Sequence, residues 1–191
     1  MTFRSLPLMS LAVLALTAVA APAGAAVDVP TPAFSALSLN GGGTVTVKQG
    51  PTRKVTILRG DPKVSSFQVI ERSLRIRACP DGCPNNYKLE VLVTVPDIDA
   101  LAVRGGGKVE MTGFPAVEKL ALSVQGGGLL DTRAVEARTV AASVEGGGGI
   151  RTWASKTLAA SVRGGGGVRY KGSPTLATSV RGGGGVKADS E

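Results

Sequence analysis

The sequence predicts an all-β protein: a parallel β-solenoid, or β-helix, of short coils with glycine-rich corners, preceded by an irregular β half. Two observations predict it. First, six glycine runs begin at Gly41, Gly105, Gly126, Gly146, Gly164 and Gly182, so the last five begin 21, 20, 18 and 18 residues apart. A period near 20 residues marks stacked units that each bury an apolar face only against their neighbours. Second, apolar residues alternate with polar ones on both sides of the runs, the period-two pattern of half-buried strands.

In chain order, Met1 to Ser5 carries one charge, Arg4, and is followed by the apolar stretch Leu6 to Ala21 and the small residues Ala23-Gly24-Ala25-Ala26. This reads as a secretory signal peptide, residues 1–26, too short for a membrane anchor. Cleavage would leave residues 27–191 as a single domain, periplasmic or secreted, with no membrane span. The domain divides into an irregular part, residues 33–96, and regular repeats, residues 97–188.

In the irregular part Val45-Thr-Val47, Val55-Thr-Ile57, Phe67-Gln-Val69, Leu74-Arg-Ile76 and Leu89 to Val95 alternate as strands. Turns at Gln49-Gly50-Pro51, Gly60-Asp61-Pro62 and Cys79 to Asn86 separate them. Cys79 and Cys83 bracket Pro80-Asp81-Gly82, and in an oxidising compartment that spacing predicts a disulfide. Zinc would need two more ligands, and the chain has no histidine and no third cysteine.

The repeats align from the first glycine of each run. Leu39, Val103, Val124, Val144, Val162 and Val180 stand two positions before it; Val45, Val109, Leu130, Ile150, Val168 and Val186 stand four after. These columns should point inward. Each coil would hold two short strands meeting at the glycines, with the opposite corner at Gly113-Phe114-Pro115, Ala154-Ser155-Lys156 or Gly172-Ser173-Pro174. Coils stacked at about 4.8 Å would align equivalent residues in ladders. Glycine suits such a corner because it adopts positive φ freely and has no side chain to meet its copy one coil away.

The string Phe34 to Gly50 (FSALSLNGGGTVTVKQG), the segments Leu74-Arg-Ile76 and Val93-Thr-Val-Pro96, and Ile98-Asp-Ala-Leu-Ala-Val-Arg-Gly-Gly-Gly-Lys-Val109 resemble the head GIN domain family. That family is described as auto-transporter adhesin heads, and the resemblance covers residues 33 to 188. It implies a β-solenoid outside the cytoplasm and brings no catalytic residues. The chain departs from an autotransporter in showing no C-terminal membrane-barrel segment.

Composition removes several function classes. The absence of histidine excludes Ser-His-Asp and Cys-His catalysis. No glycine run has the G-x-x-x-x-G-K-[ST] form of a phosphate loop. Calcium-binding rolls need an aspartate soon after the glycines, where this chain has Ile150-Arg-Thr, Val168-Arg-Tyr and Val186-Lys-Ala. No cofactor or metal is expected. The formal charge of +8, or +7 without Arg4, favours anionic partners such as envelope polysaccharide or lipopolysaccharide. At 4% aromatic residues a stacking platform for nucleic acid is not expected.

Two outward columns remain. Ser38, Ser123, Ser143, Ser161 and Ser179 form a ladder with no base to activate it, which reads as surface. Asn40, Arg104, Gln125, Glu145, Arg163 and Arg181 precede the runs, and Thr46, Glu110, Asp131, Arg151, Arg169 and Lys187 follow them. Both columns turn cationic toward the C-terminal end. Arg151, Arg163, Arg169, Arg181 and Lys187 are therefore the candidate face for an anionic ligand. Trp153 and Tyr170 fall at positions of opposite parity, so Tyr170 should pack inward.

The expected function is an exported, non-enzymatic interaction or structural module of the bacterial cell envelope. It would be adhesin-like, meeting an anionic polymer or a protein partner by repeated rows. An open last coil would let it pair with its own copy or a partner. The competing reading is a polysaccharide-acting β-helix enzyme. That needs clustered carboxylates, whereas Glu110, Glu118, Asp131, Glu136 and Glu145 scatter over different columns.

Overall fold

The computed structural model describes residues 26–189, so residues 1–25 of the predicted signal peptide lie outside the described residues. Among the described residues there is no helix. The strands are β1 (Val27–Val29), β2 (Ala36–Asn40), β3 (Thr44–Gln49), β4 (Lys54–Arg59), β5 (Ser66–Ile70), β6 (Ser73–Arg77), β7 (Glu90–Val95) and β8 (Ala100–Gly105). They continue with β9 (Lys108–Thr112), β10 (Val117–Gly126), β11 (Leu129–Gly146), β12 (Gly149–Arg163), β13 (Gly167–Lys171), β14 (Thr175–Arg181) and β15 (Gly185–Ala188).

These strands form one 15-stranded sheet of mixed orientation, laid out as two columns of pairings. The first column runs β5–β6–β2–β8–β10–β11–β12–β14. The second runs β1–β4–β7–β3–β9–β11–β12–β13–β15. β11 and β12 serve both, their first residues in the second column and their last in the first. The columns meet at the glycine runs, where the chain passes from one to the other.

Period two does the sorting. Leu37, Leu39, Leu101, Val103, Leu122 and Val124 are all at most 2% exposed on the first column. Val45, Val47, Val91, Val93, Val109 and Leu130 are equally buried on the second. Together they make one hydrophobic core. In-register pairing copies each inward aliphatic onto the next strand, as in Leu122↔Leu101 and Val144↔Val162.

The glycine corners are steric as well as conformational. Gly146 and Gly164 have φ of 111° and 114°, a region that side chains avoid. At Gly166 a Cβ would strike the carbonyl oxygen of Gly148, the equivalent residue one repeat earlier. The amide of Gly166 donates to Gly146 O at 2.8 Å, and that of Gly167 to Gly148 O at 3.1 Å.

Two features differ from the expected parallel stack of short coils. Three pairings are antiparallel: β1 with β4, β4 with β7, and β5 with β6. β5 and β6 are joined through Glu71 and Arg72 with φ of 49° and 63°, a two-residue connection that permits only antiparallel pairing. The second difference is the corner opposite the glycines. It breaks the chain around Gly113 and Gly172, yet β11 and β12 run through it unbroken for 18 and 15 residues. Register shifts between Thr132 and Glu136 and between Ala137 and Thr139 absorb the bend, as bulges do, while the ladder continues.

The interior also holds two threonines. Thr132 and Thr152 are fully buried neighbours; Thr132 Oγ1 donates to Thr152 Oγ1 at 3.0 Å. Tyr170 follows Thr152 in register and packs half-buried against the core, as its inward parity predicts. The Cys79–Cys83 disulfide is formed. It lies in a loop that folds over the end of the core, where Cys79 and Tyr87 pack. Ser65 Oγ donates to Ala78 O at 2.7 Å and lies 2.7 Å from the Tyr87 hydroxyl, which in turn accepts from the Asp61 amide at 3.0 Å.

Candidate functional site

The five basic residues singled out in the sequence do not form one face. Arg151, Arg169 and Lys187 are in direct register on β12, β13 and β15. They line a groove of about 470 Å³ with the glycines of the last four corners. Its floor includes Gly149, Gly167 and Gly185, which pair in the same register, so backbone rather than side chain faces the ligand space. Arg163 and Arg181 stand before the glycines, on the first column, and do not line this groove. Arg163 Nη1 donates to Glu145 Oε1 at 3.1 Å, so its charge is already countered.

The row that carries Arg151, Arg169 and Lys187 runs back through the acids Asp131 and Glu110 to Thr46. Beside those acids Arg133 bridges two carboxylates, Asp131 at 2.9 Å and Asp189 at 3.0 Å. Burial alone would raise the pKa of Asp131. Hydrogen bonds from the Arg133 side chain and amide, with the charges of Arg133 and Arg151, outweigh burial and hold the carboxyl below its usual range. Asp189 also lies 4.0 Å from Arg169. Lys171 Nζ sits 5.1 Å from the centre of the Trp153 ring, a cation–π contact beside the same strands.

Three acids, Glu110, Asp131 and Asp189, line one cavity of about 450 Å³ with Arg133 and Lys171, and Arg133 holds two of them. Glu110 is paired with Lys108, Glu118 with Arg138, Glu145 with Arg163 and Asp131 with Arg133. Among the described residues, no three His, Cys, Asp or Glu side chains come together as metal ligands.

One surface was not anticipated. On the outer face of the first column, Ala36, Ala100, Ala121, Ala141, Ala159 and Ala177 stand in one continuous register. Beside them runs the row Ser38, Ala102, Ser123, Ser143, Ser161 and Ser179. The two rows floor a trough of about 740 Å³ from β6 to β14, with Arg75 and Arg104 among its lining residues. Its sequence signal is an alanine five residues before every glycine run.

This arrangement defines a class: an all-β domain with stacked parallel pairings, glycine corners and small-residue outer rows. The family comparison places it more closely. Residues 33–128 and 114–174 match the family described as "Putative auto-transporter adhesin, head GIN domain", and the chain belongs to that family. Among solved structures, a "putative adhesin" of Bacteroides fragilis NCTC 9343 is similar at 19% identity and a TM-score of 0.55, covering 86% of this chain and 96% of that one. A "putative adhesin" of Parabacteroides merdae ATCC 43184 (13% identity, TM-score 0.41) and a "putative lipid binding protein" of Parabacteroides distasonis ATCC 8503 (14%, 0.40) each cover 87% of this chain and are covered over 96%. The first shares the fold; the other two are too distant to argue from. No curated protein matches. An extracytoplasmic location fits both the family and the intramolecular disulfide. No helix among the described residues is long and apolar enough to cross a membrane.

Proposed function

We propose that the chain is an exported, non-enzymatic module of the cell envelope that binds an anionic surface polymer, with its two columns acting as the faces of a β-solenoid. The observation that carries the reading is the register of Arg151, Arg169 and Lys187 over side-chain-free backbone. Like charges one strand spacing apart repel by about 1 kcal/mol in water-like surroundings, a standing cost to the fold. The acid near Arg169 is Asp189, and Arg133 already bridges it. A polymer with phosphate or carboxylate groups along its length would relieve that repulsion at each rung, and the arginine forks match such groups. The contacts are shallow and repeated, so affinity would come from several rungs engaged together.

The test is binding of purified lipopolysaccharide and of an anionic polysaccharide at low and high salt. An Arg151→Ala/Arg169→Ala/Lys187→Ala variant is compared with Arg163→Ala/Arg181→Ala. The first should bind about tenfold more weakly or worse and show a flatter salt dependence; the second should change little. Equal weakening by both variants, or binding indifferent to salt, would reduce the column to a solvated face.

A further inference from the structure

We infer that the trough on the outer face of the first column is a binding site for a free long-chain fatty acid, with the carboxylate held at the β6–β2–β8 end. Three observations meet there. The first is the floor. From β6 to β14 the trough crosses seven strands, about 29 Å at the usual strand spacing. Its alanine row offers methyl groups alone along that length, apart from Ser73 at the β6 end. The two floor rows lie about 7 Å apart along the strands, narrower than the 10–12 Å of a helix with its side chains. An extended peptide crossing the strands would lay its amides over a floor with about one hydroxyl per strand, beside methyls that can neither donate nor accept. A single hydrocarbon chain has no such groups to satisfy.

The second observation is Ser38. It is 8% exposed, lines the trough, and has no hydrogen-bond partner among the described residues. Among the described residues no fully buried side-chain oxygen or nitrogen lacks a partner, so the Ser38 hydroxyl opens onto the trough. An oxygen acceptor in the trough would complete it.

The third is charge. Arg75 pairs in register with Ser38 on one side, and Arg104 stands beside Asn40 on the other. Arg75 is half-buried, and among the described residues neither guanidinium has a carboxylate partner. Two unpaired guanidinium groups beside a hydroxyl that opens onto the trough suit one carboxylate, each fork supplying parallel N–H donors. The apolar length and the cationic end are complementary to a single-chain anionic amphiphile. A floor two rows wide with one cationic end fits a single free acid better than the surface of a bilayer.

The experiment is calorimetric titration of the mature protein with monomeric palmitate and with its methyl ester, beside flotation with phosphatidylglycerol vesicles. Saturable 1:1 binding of palmitate is expected, about tenfold or more weaker for the ester and for Arg75→Gln/Arg104→Gln. Ala141→Gln/Ala159→Gln, two exposed positions that would raise the floor, should abolish binding while leaving the melting temperature unchanged. Arg151→Ala/Arg169→Ala, on the other column, should bind palmitate as the wild type does; its failure would expose adsorption to cationic surface in general. Absence of saturable binding, equal binding of acid and ester, or binding retained by the raised floor would overturn the assignment. Vesicle binding without palmitate binding would also overturn it.

Discussion

The two ends of the stacked strands are finished differently. At the end formed by β5 and β6, the edge strand turns back antiparallel, and its Phe67 and Val69 pack half-buried against the core. The loop carrying Cys79, Cys83 and Tyr87 folds over that end, tied by the Ser65 hydroxyl to the Ala78 carbonyl. Leu74 and Ile76, one strand in, are wholly buried. At the other end β14 pairs, among the described residues, only with β12, and all seven of its residues are exposed. Leu176 and Val180 continue the inward ladders of Leu158 and Val162 but stand 45% and 42% exposed. A ladder residue is worth what covers it, and a stack without a cap leaves its last rung outside.

The largest effect should come from contrasting the same substitution at the two ends. Leu74→Ala should destabilise by roughly 2–5 kcal/mol, the cost of emptying a packed site. Leu176→Ala should cost only a small fraction of that, since a partly exposed side chain gives up little burial. Denaturant unfolding of both variants measures it. Equal losses would mean that β14 is covered in solution, by a second copy or another partner, and sedimentation over a range of concentrations would identify self-association.

A second contrast sits within one corner. Gly165 and Gly166 are adjacent in the same run, yet a Cβ on Gly165 would meet nothing within 4 Å while one on Gly166 would strike Gly148 O. Gly166→Ala should therefore cost roughly 1–3 kcal/mol through overpacking against backbone. Gly165→Ala should be near neutral, or slightly stabilising by restricting the unfolded chain. Thermal melts that rank the two the other way would show that positive φ elsewhere in the run, not the close approach, sets the corner.

Much of what separates these regions is legible in the amino-acid sequence, and some of it is hidden there. The inward columns are legible, because in-register pairing repeats one aliphatic position strand after strand and the repetition survives in the chain. The corners are too, since every run needs positive φ at its first glycine, from Gly41 to Gly182. The antiparallel cap is not, because its turn is Glu71-Arg72 rather than Asn-Gly, and nothing in that pair announces positive φ. The unbroken β11 and β12 are hidden because a bulge shifts parity without any glycine or proline to mark it. The basic set splits for a geometric reason: residues on either side of a corner belong to different columns and look outward in different directions. The alanine row is legible as a column but carries no charge or hydroxyl, and only the register of the strands gives it a chemical meaning.

The smallest contrast sets the half-buried Arg133 bridge against the exposed Arg138–Glu118 pair, whose side chains are 59% and 77% accessible. Arg133 holds Asp131 and Asp189 together, and the Asp131 side chain is 16% accessible. Arg133→Ala should cost about 1 kcal/mol at neutral pH, while Arg138→Ala should cost no more than a few tenths. The sign with pH follows from Asp131. Its folded-state pKa lies below the unfolded value of about 3.9. The bridge therefore contributes fully above about pH 4, and its contribution fades as pH falls through the folded-state value. The gap between wild type and Arg133→Ala should narrow in acid, whereas the Arg138→Ala gap stays small throughout. Urea unfolding at a series of pH values from 7 down to 3 reads both. A gap for Arg133→Ala that stays constant to pH 3 would mean that the arginine acts through packing over Asp131 rather than through its charge.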